Sequence, residues 1–233
     1  MYSTVKNSGR AFMTKRYILI LLLAMISLVS AEEKKKVGFY FRHFTVRGTE
    51  VASYDYADCN ETILGNESYI FYVPCLPLPA SDFSQEVEEK FQKRFSGRFY
   101  QCSSIKEVDS IIQDKHIDVL YNIKSGEYDG VLSQHAKNAI HAVFTIAPHG
   151  DAYAAISDWV TSCHPKSNVP VVPHMVRIGK STSTLHKELG IPENALVLGR
   201  HGGFTTFNIP FVKELITETA KKHPTYYFIF LHT

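Results

Sequence analysis

The stretch Ala195–Thr233, ALVLGRHGGFTTFNIPFVKELITETAKKHPTYYFIFLHT, constrains the fold more than any other part of the chain. Ala195–Leu198 is a short apolar run stopped by Gly199, which predicts a buried strand. Gly199, Arg200, His201, Gly202 and Gly203 come next as a loop. Asn208 can cap a helix, and Pro210 suits its first turn, where a backbone N–H has no partner anyway. Phe211, Val212, Leu215, Ile216 and Thr219 recur at helical spacing and leave Lys213, Glu214, Thr217 and Glu218 outside. Lys221, Lys222 and His223 favour a helix C-terminus, and Pro224 ends the helix. Tyr226–Leu231, aromatic and apolar, reads as a second buried strand.

Two strands joined by a helix make a right-handed parallel crossover. Ligands of such sheets bind beyond the carboxyl ends of the strands, here at Gly199–Asn208. Glycines let a ligand come close to the backbone, the helix N-terminus offers N–H groups and a positive dipole end, and Arg200 adds a fork of charged donors. Together they suit a phosphate or diphosphate; a plain turn beside a solvated arginine is the competing reading. The pattern is neither G-x-G-x-x-G nor a P-loop. Gly179-Lys180-Ser181 looks like a P-loop tail, but His174 stands where its first glycine belongs.

The chain has 233 residues, 45% of them apolar and 21% charged, enough for one large domain or two small ones. A net charge of +2 gives no reason to expect nucleic acid as a partner. At the N-terminus Lys15 and Arg16 precede the apolar run Ile18–Val29, and Val29-Ser30-Ala31 is a small-residue cleavage site. That is a signal-peptide pattern, and it sends the chain into the secretory pathway, the periplasm or outside the cell. The alternative is an uncleaved anchor over residues 18–29, against which the shortness of the run argues.

Val37–Phe44 reads as the first strand, and Thr45–Thr49 as a loop holding Arg47 and Gly48. Glu50–Asn60 reads as a helix capped by Thr49, with Val51, Tyr54 and Ala57 or Asp58 along one side. Strands are expected at Tyr69–Val73, Asp118–Ile123, Ile140–Ile146, Tyr153–Ser157 and Val169–Val172, and helices at Ser84–Phe95, Ile105–Gln113 and Thr184–Leu189. Pro74–Pro79 cannot be regular. Strands alternating with helices mean an α/β fold with a mostly parallel sheet. The expected organisation is a signal peptide over 1–31, a Rossmann-like domain over 32–178 and, past a polar joint at Gly179–Ser183, the start of a second Rossmann-like domain over 179–233. A lone β-α-β unit cannot cover both faces of its sheet, so the second domain is expected to be truncated here.

Four cysteines, Cys59, Cys75, Cys102 and Cys163, allow three full disulfide connectivities or buried free thiols, and their spacing is no zinc signature. Asn60-Glu-Thr62 and Asn66-Glu-Ser68 are glycosylation sequons. Among eleven histidines none has metal-ligand spacing, and a lone histidine is most often a surface or satisfied core residue. His149 stands apart, in the loop Ala147-Pro148-His149-Gly150-Asp151 after the run Ile140–Ile146, where the strand-end rule puts it on the ligand side. There is no G-x-S-x-G elbow, no C-x-x-C and no pair of aspartates two apart to hold a metal on a diphosphate.

These pieces carry a resemblance. Pro173-His174-Met175-Val176, Leu189–Ala195, Leu198–Phe204 and Phe207–Val212 look like the domain junction of glycosyltransferases with two facing Rossmann domains, the GT-B architecture, of the retaining group-1 type. Val37–Glu50 is similar to the opening strand and acceptor-side glycine loop of such enzymes, and Pro148–Trp159 resembles the segment that brings a histidine into their cleft.

The resemblance implies transfer of a sugar from a nucleotide-diphosphate donor to an acceptor, with no metal and no further cofactor. Carried over by position, Gly199, Arg200, His201, Gly202 and Gly203 would hold the diphosphate, and His149 would face the sugar or acceptor. Arg47 and Gly48 would line the acceptor side, and Lys124, just after its strand, is a further cleft candidate. The family's Glu-x7-Glu segment has no counterpart in this sequence. The alternatives from other classes are a secreted carbohydrate- or ligand-binding protein and an inactive remnant.

Overall fold

Val37, Phe39 and Phe41 point to one side of a strand and Gly38 and Tyr40 to the other, and both sides meet apolar partners. Such a strand belongs inside a parallel sheet covered on both faces. The computed structural model describes residues 33–45, 48–75, 83–165, 167–177, 185–202 and 207–232. Two units are distinguished, Met1–Lys35 and Lys36–Thr233. The signal-peptide reading and the polar joint at Gly179–Ser183 lie outside the described residues. Among those described, no helix is long and apolar enough to cross a membrane.

The order of elements is β1 (Lys36–Phe41), α1 (Gly48–Thr62), β2 (Glu67–Tyr72), α2 (Gln85–Arg94), β3 (Phe99–Gln101), α3 (Ile105–Lys115), β4 (Val119–Lys124), β5 (Lys137–Ala142), β6 (Ala152–Ala155), α4 (Asp158–Ser162), α5 (Leu185–Glu188), β7 (Leu196–Gly202), α6 (Pro210–Lys222) and β8 (Tyr226–His232). Six strands form one sheet in the order β3-β2-β1-β4-β5-β6, and every pairing in it is parallel. β7 and β8 form a second, two-stranded parallel sheet. The fold is thus α/β and Rossmann-like, as the alternation of elements predicts.

Side-chain alternation along the central strands feeds two cores. Phe39 and Phe41 of β1 and Ile70 and Tyr72 of β2 meet Ala52, Tyr56 and Ala57 of α1 and Phe91 of α2. On the other face Tyr40, Phe71 and Leu120 meet Val108 and Ile112 of α3. Phe44, fully buried, gathers the first core: its ring centroid lies 4.2 Å from Tyr72, 5.1 Å from Phe41 and 5.7 Å from Phe91. Ser84 and Ser104 cap α2 and α3, each accepting a backbone N–H of the first turn. The connections from β4 to β5 and from β5 to β6 contain no helix.

Several expectations are corrected. The face of α1 that packs inward carries Ala52, Ser53, Tyr56, Ala57, Cys59 and Asn60, while Val51 is exposed. Polar groups sit on that inner face because they are satisfied. Thr45 Oγ1 donates to Glu50 Oε2 at 2.8 Å, and Asn60 Nδ2 donates to Ser68 Oγ at 2.9 Å. Asn66 Nδ2 in turn donates to Asn60 Oδ1 at 2.9 Å, so both sequon asparagines belong to one internal network. β3 and α4 are additions to the expected elements, and Val169–Val172 reduces to a single bridge between Ala155 and Val171. The four cysteines are free thiols.

The second sheet departs most. β7 does not stop at Leu198 but runs on through Gly202, with Gly199 beside Ile229, Arg200 beside Phe230 and His201 beside Leu231. A seven-residue aromatic and apolar partner strand draws these residues into the ladder despite the poor strand preference of glycine. Asn208 does not cap α6. Ile209 occupies that place with no side-chain bond, while Asn208 Oδ1 accepts from Lys213 Nζ at 2.7 Å. Nor are these strands buried as expected: Leu196, Leu198, Phe230 and Leu231 are all exposed.

Because Phe91 touches Phe41, Phe44, Tyr54 and Phe95, Phe91→Ala removes the ring that ties α2 to the sheet. We expect it to lower unfolding stability in urea by about 3–5 kcal/mol.

Candidate functional site

In an open parallel sheet the crevice lies where neighbouring strands send their connections to opposite faces. Here that point falls between β1, which leads to α1, and β4, which is reached from α3 on the other face. At this edge β1 hands over to Arg42–Thr45, Gly48 opens α1 and Lys124 ends β4. Gly48 and Lys124 therefore stand at the same carboxyl edge. Arg47 lies outside the described residues.

Lys124 is largely buried and already engaged: its Nζ lies 2.6 Å from Asp129 Oδ1, which also accepts the Val131 N–H at 3.0 Å. Beside it, burial pushes the Tyr40 phenol up to about 12, opposed by the Arg42 guanidinium and reinforced by Asp129. With buried Glu50 accepting from Thr45, the edge presents fixed donors and acceptors of both signs. Such an edge suits a polar, hydroxyl-rich ligand.

The loops beyond β4 and β5 are fastened to each other. Tyr153 Oη donates to Gly126 O at 2.7 Å and accepts from Ala147 N at 3.1 Å. Gly126 has φ +120°, and a Cβ there would stand 1.9 Å from Thr145 O.

His149 sits in this fastened region between two tyrosines. Its ring centroid is 5.5 Å from that of Tyr128 and 5.4 Å from that of Tyr153, both edge-on. Nδ1 donates to Ala147 O at 2.6 Å, which leaves the lone pair on Nε2. That atom is buried and has no hydrogen-bond partner among the described residues. The strand-end expectation for His149 is not met. The adjoining Gly150 packs on Asn138 O, and Asp151 N donates to the same oxygen at 2.9 Å. Asn138 is the second residue of β5, so the chain has already returned towards the amino ends of the strands.

A cluster that sequence reasoning did not single out lies under α1. Tyr121 Oη and His141 Nδ1 are 2.7 Å apart, as are His141 Nε2 and Val172 O, and Tyr56 Oη and His174 Nδ1. Met175 N donates to Tyr56 Oη at 3.3 Å. The imidazole centroids are 5.1 Å apart. Burial lowers the His141 value, the Val172 carbonyl opposes this and His174 adds to it; burial alone lowers His174. Burial likewise raises Tyr121 and Tyr56, with the Met175 N–H working against it at Tyr56. The signal in the sequence is His141 itself, a polar residue inside the apolar run Ile140–Ile146.

On the second sheet Gly199, Arg200, His201 and Gly202 lie in β7, whose carboxyl end precedes α6. Gly203 lies outside the described residues. The Arg200 guanidinium carbon sits 4.5 Å from the centroid of Phe207, whose ring packs 5.6 Å from Phe230. The first turn of α6 has no side-chain cap. Among the described residues no group of three or more His, Cys, Asp or Glu is placed to hold a metal ion.

No family model matches the sequence, and no curated protein matches it. A solved structure does: the crystal structure of a glycosyltransferase from Rickettsia africae ESF-5, with a TM-score of 0.53. The match covers 86% of this chain and 69% of that one at 9% sequence identity. At that identity the likeness is one of fold. The parallel α/β arrangement of this chain resembles the fold of that solved structure.

Gly126→Ala puts a side chain at positive φ and against backbone. We expect a loss of at least about 1–3 kcal/mol from the backbone conformation alone, read as a lower midpoint in thermal unfolding, with the clash adding to it.

Proposed function

We propose that the protein is a glycosyltransferase of GT-B architecture, retaining and group-1-like, which moves a sugar from a nucleotide-diphosphate donor to an acceptor. The observation that carries this reading is the fold likeness to a glycosyltransferase over 86% of the chain. The second sheet supports it from below. The Arg200 cation, stacked on Phe207, and the positive dipole end of α6 favour a leaving diphosphate. Charge grows on that diphosphate as the glycosidic bond breaks, and preorganised donors favour the developing charge over the ground state.

In this reading Gly199, Arg200, His201, Gly202 and Gly203 form the donor side, and no metal is needed there. Gly48 and Lys124, at the carboxyl edge between β1 and β4, form the acceptor side, and Arg47 joins them by its place in the sequence. His149 takes a proton or a hydrogen bond from a sugar or acceptor hydroxyl through Nε2, the atom without a protein partner among the described residues. Its distance from the carboxyl edge makes it the assignment that a variant tests most sharply.

Two measurements decide. Calorimetric titration of the full chain with nucleoside-diphosphate sugars should show binding, and Arg200→Ala should weaken it about 10- to 100-fold, the range for one charged hydrogen-bond donor. Unchanged affinity rejects the diphosphate role. Where product forms, His149→Ala should lower kcat by about 100-fold or more; a wild-type rate removes His149 from the site.

A further inference from the structure

Residues 172–177 leave the bridge at Val171 and run over α1 as a strap. Of their side chains only His174 is not exposed. The strap is held at four points. Val172 O accepts from His141 Nε2, Tyr56 Oη meets His174 Nδ1, Met175 N donates to Tyr56 Oη, and Arg177 N donates to Asp55 Oδ2 at 3.3 Å. The Arg177 side chain also pairs with Asp58, which is shared with Arg94.

Val172 O can only accept, so His141 Nε2 carries a hydrogen. In the neutral form His141 Nδ1 accepts from Tyr121 Oη, and His174 Nδ1 accepts from Tyr56 Oη, which itself accepts from Met175 N. A proton added at either Nδ1 replaces an acceptor with a donor facing a hydroxyl that already points its hydrogen there. It also sets a cation beside the second imidazole, 5.1 Å away.

We propose that His174 is a proton-operated clasp, seated beside His141, which holds residues 173–176 on α1 when it is neutral and releases them when it is protonated. The groups facing the pair are Tyr56, Asp55 and Asp58 of α1, Tyr121 of β4 and Arg177 of the strap itself. Arg177 does not titrate in the working range, so it forms the fixed end of the strap and His174 the switchable point. The sign comes from burial, which holds His174 below its ordinary value. Once released it returns to about 6.5, and the free strap takes up a proton that the docked strap refuses. Docking is therefore at full strength above about pH 6.5 and weakens as the pH falls below it. In sequence the strap lies between the strands of the six-stranded sheet and those of the second sheet, so its release lengthens the tether between them. This holds whatever ligand the protein takes.

Hydrogen exchange of the full chain tests the clasp. The Met175 amide, corrected for intrinsic exchange, should lose protection between pH 7.5 and 5.0, by up to about 30-fold as His174 is released to its ordinary value. Amides of Phe39–Phe41 should keep theirs. The His174 ring, followed by NMR, should titrate over the same range, and His174→Phe and His174→Gln should each flatten the pH profile of the strap. A wild-type profile without the step overturns the proposal. So does a step that persists in both variants, or one in which Phe39–Phe41 loses protection together with the strap.

Discussion

A parallel strand in mid-sheet has no face turned to water, and β1 is built to that constraint. Its alternate residues must supply two cores at once. Phe39 and Phe41 serve the side of α1 and α2, and Tyr40 serves the side of α3. Everything at the candidate acceptor edge inherits its place from this. Gly48 opens a helix whose inner face is fixed by Tyr56 and Ala57 against Phe39 and Phe41, and Lys124 ends the strand paired to the other edge of β1. Moving β1 by one residue would exchange the two sets of side chains and undo both cores.

The polar residues on the inner faces obey the same rule by a different route. Glu50, Asn60, Ser68 and His141 are all buried, and each has a hydrogen-bond partner within reach. Such groups contribute little net stability when paired and cost about 1–3 kcal/mol each when not. They specify geometry more than they add strength. Thr45 and Glu50, like Val172 and His141, hold each other in register through these bonds. The second sheet has fewer such constraints. Leu196, Leu198, Phe211, Leu215, Phe230 and Leu231 are exposed there, and Arg200 is steadied by stacking on Phe207.

How much of this can be read from the residues depends on which force decides each element. Where apolar periodicity and capping agree, as at Ser84 to Phe95, the sequence reading and the structure coincide within a residue or two, and at Pro210 the helix starts where its spacing says although Asn208 does not cap it. α1 is legible as a helix but not in its orientation, because hydrogen bonds bury its Ser53 and Asn60 while Val51 faces water. β3 has three residues, too few for any period to show. Gly199–Gly202 looks like a loop because local preference says so. Only pairing with Ile229–His232, some thirty residues away in sequence, makes it a strand. Site residues meet the same limit. The strand ends are enough to put Gly48 and Lys124 at one sheet edge. They misplace His149, because the loop after β5 turns back instead of continuing outwards. The partnership of His141 with His174 joins residues that no local pattern links.

The strand order has a consequence in time. β1 pairs on one side with β2, the next strand in sequence, but on the other side with β4, and the bond from Lys36 N to Asp118 spans 82 positions. During synthesis β1, α1 and β2 can assemble early, leaving one edge of β1 open, rich in Phe and Tyr, until β4 is made. At about 5–20 residues per second that interval lasts about 4–16 s. A newly made chain therefore carries an unpaired aromatic strand edge for seconds, and a holdase that covers short extended segments would find its binding site at Lys36–Phe41.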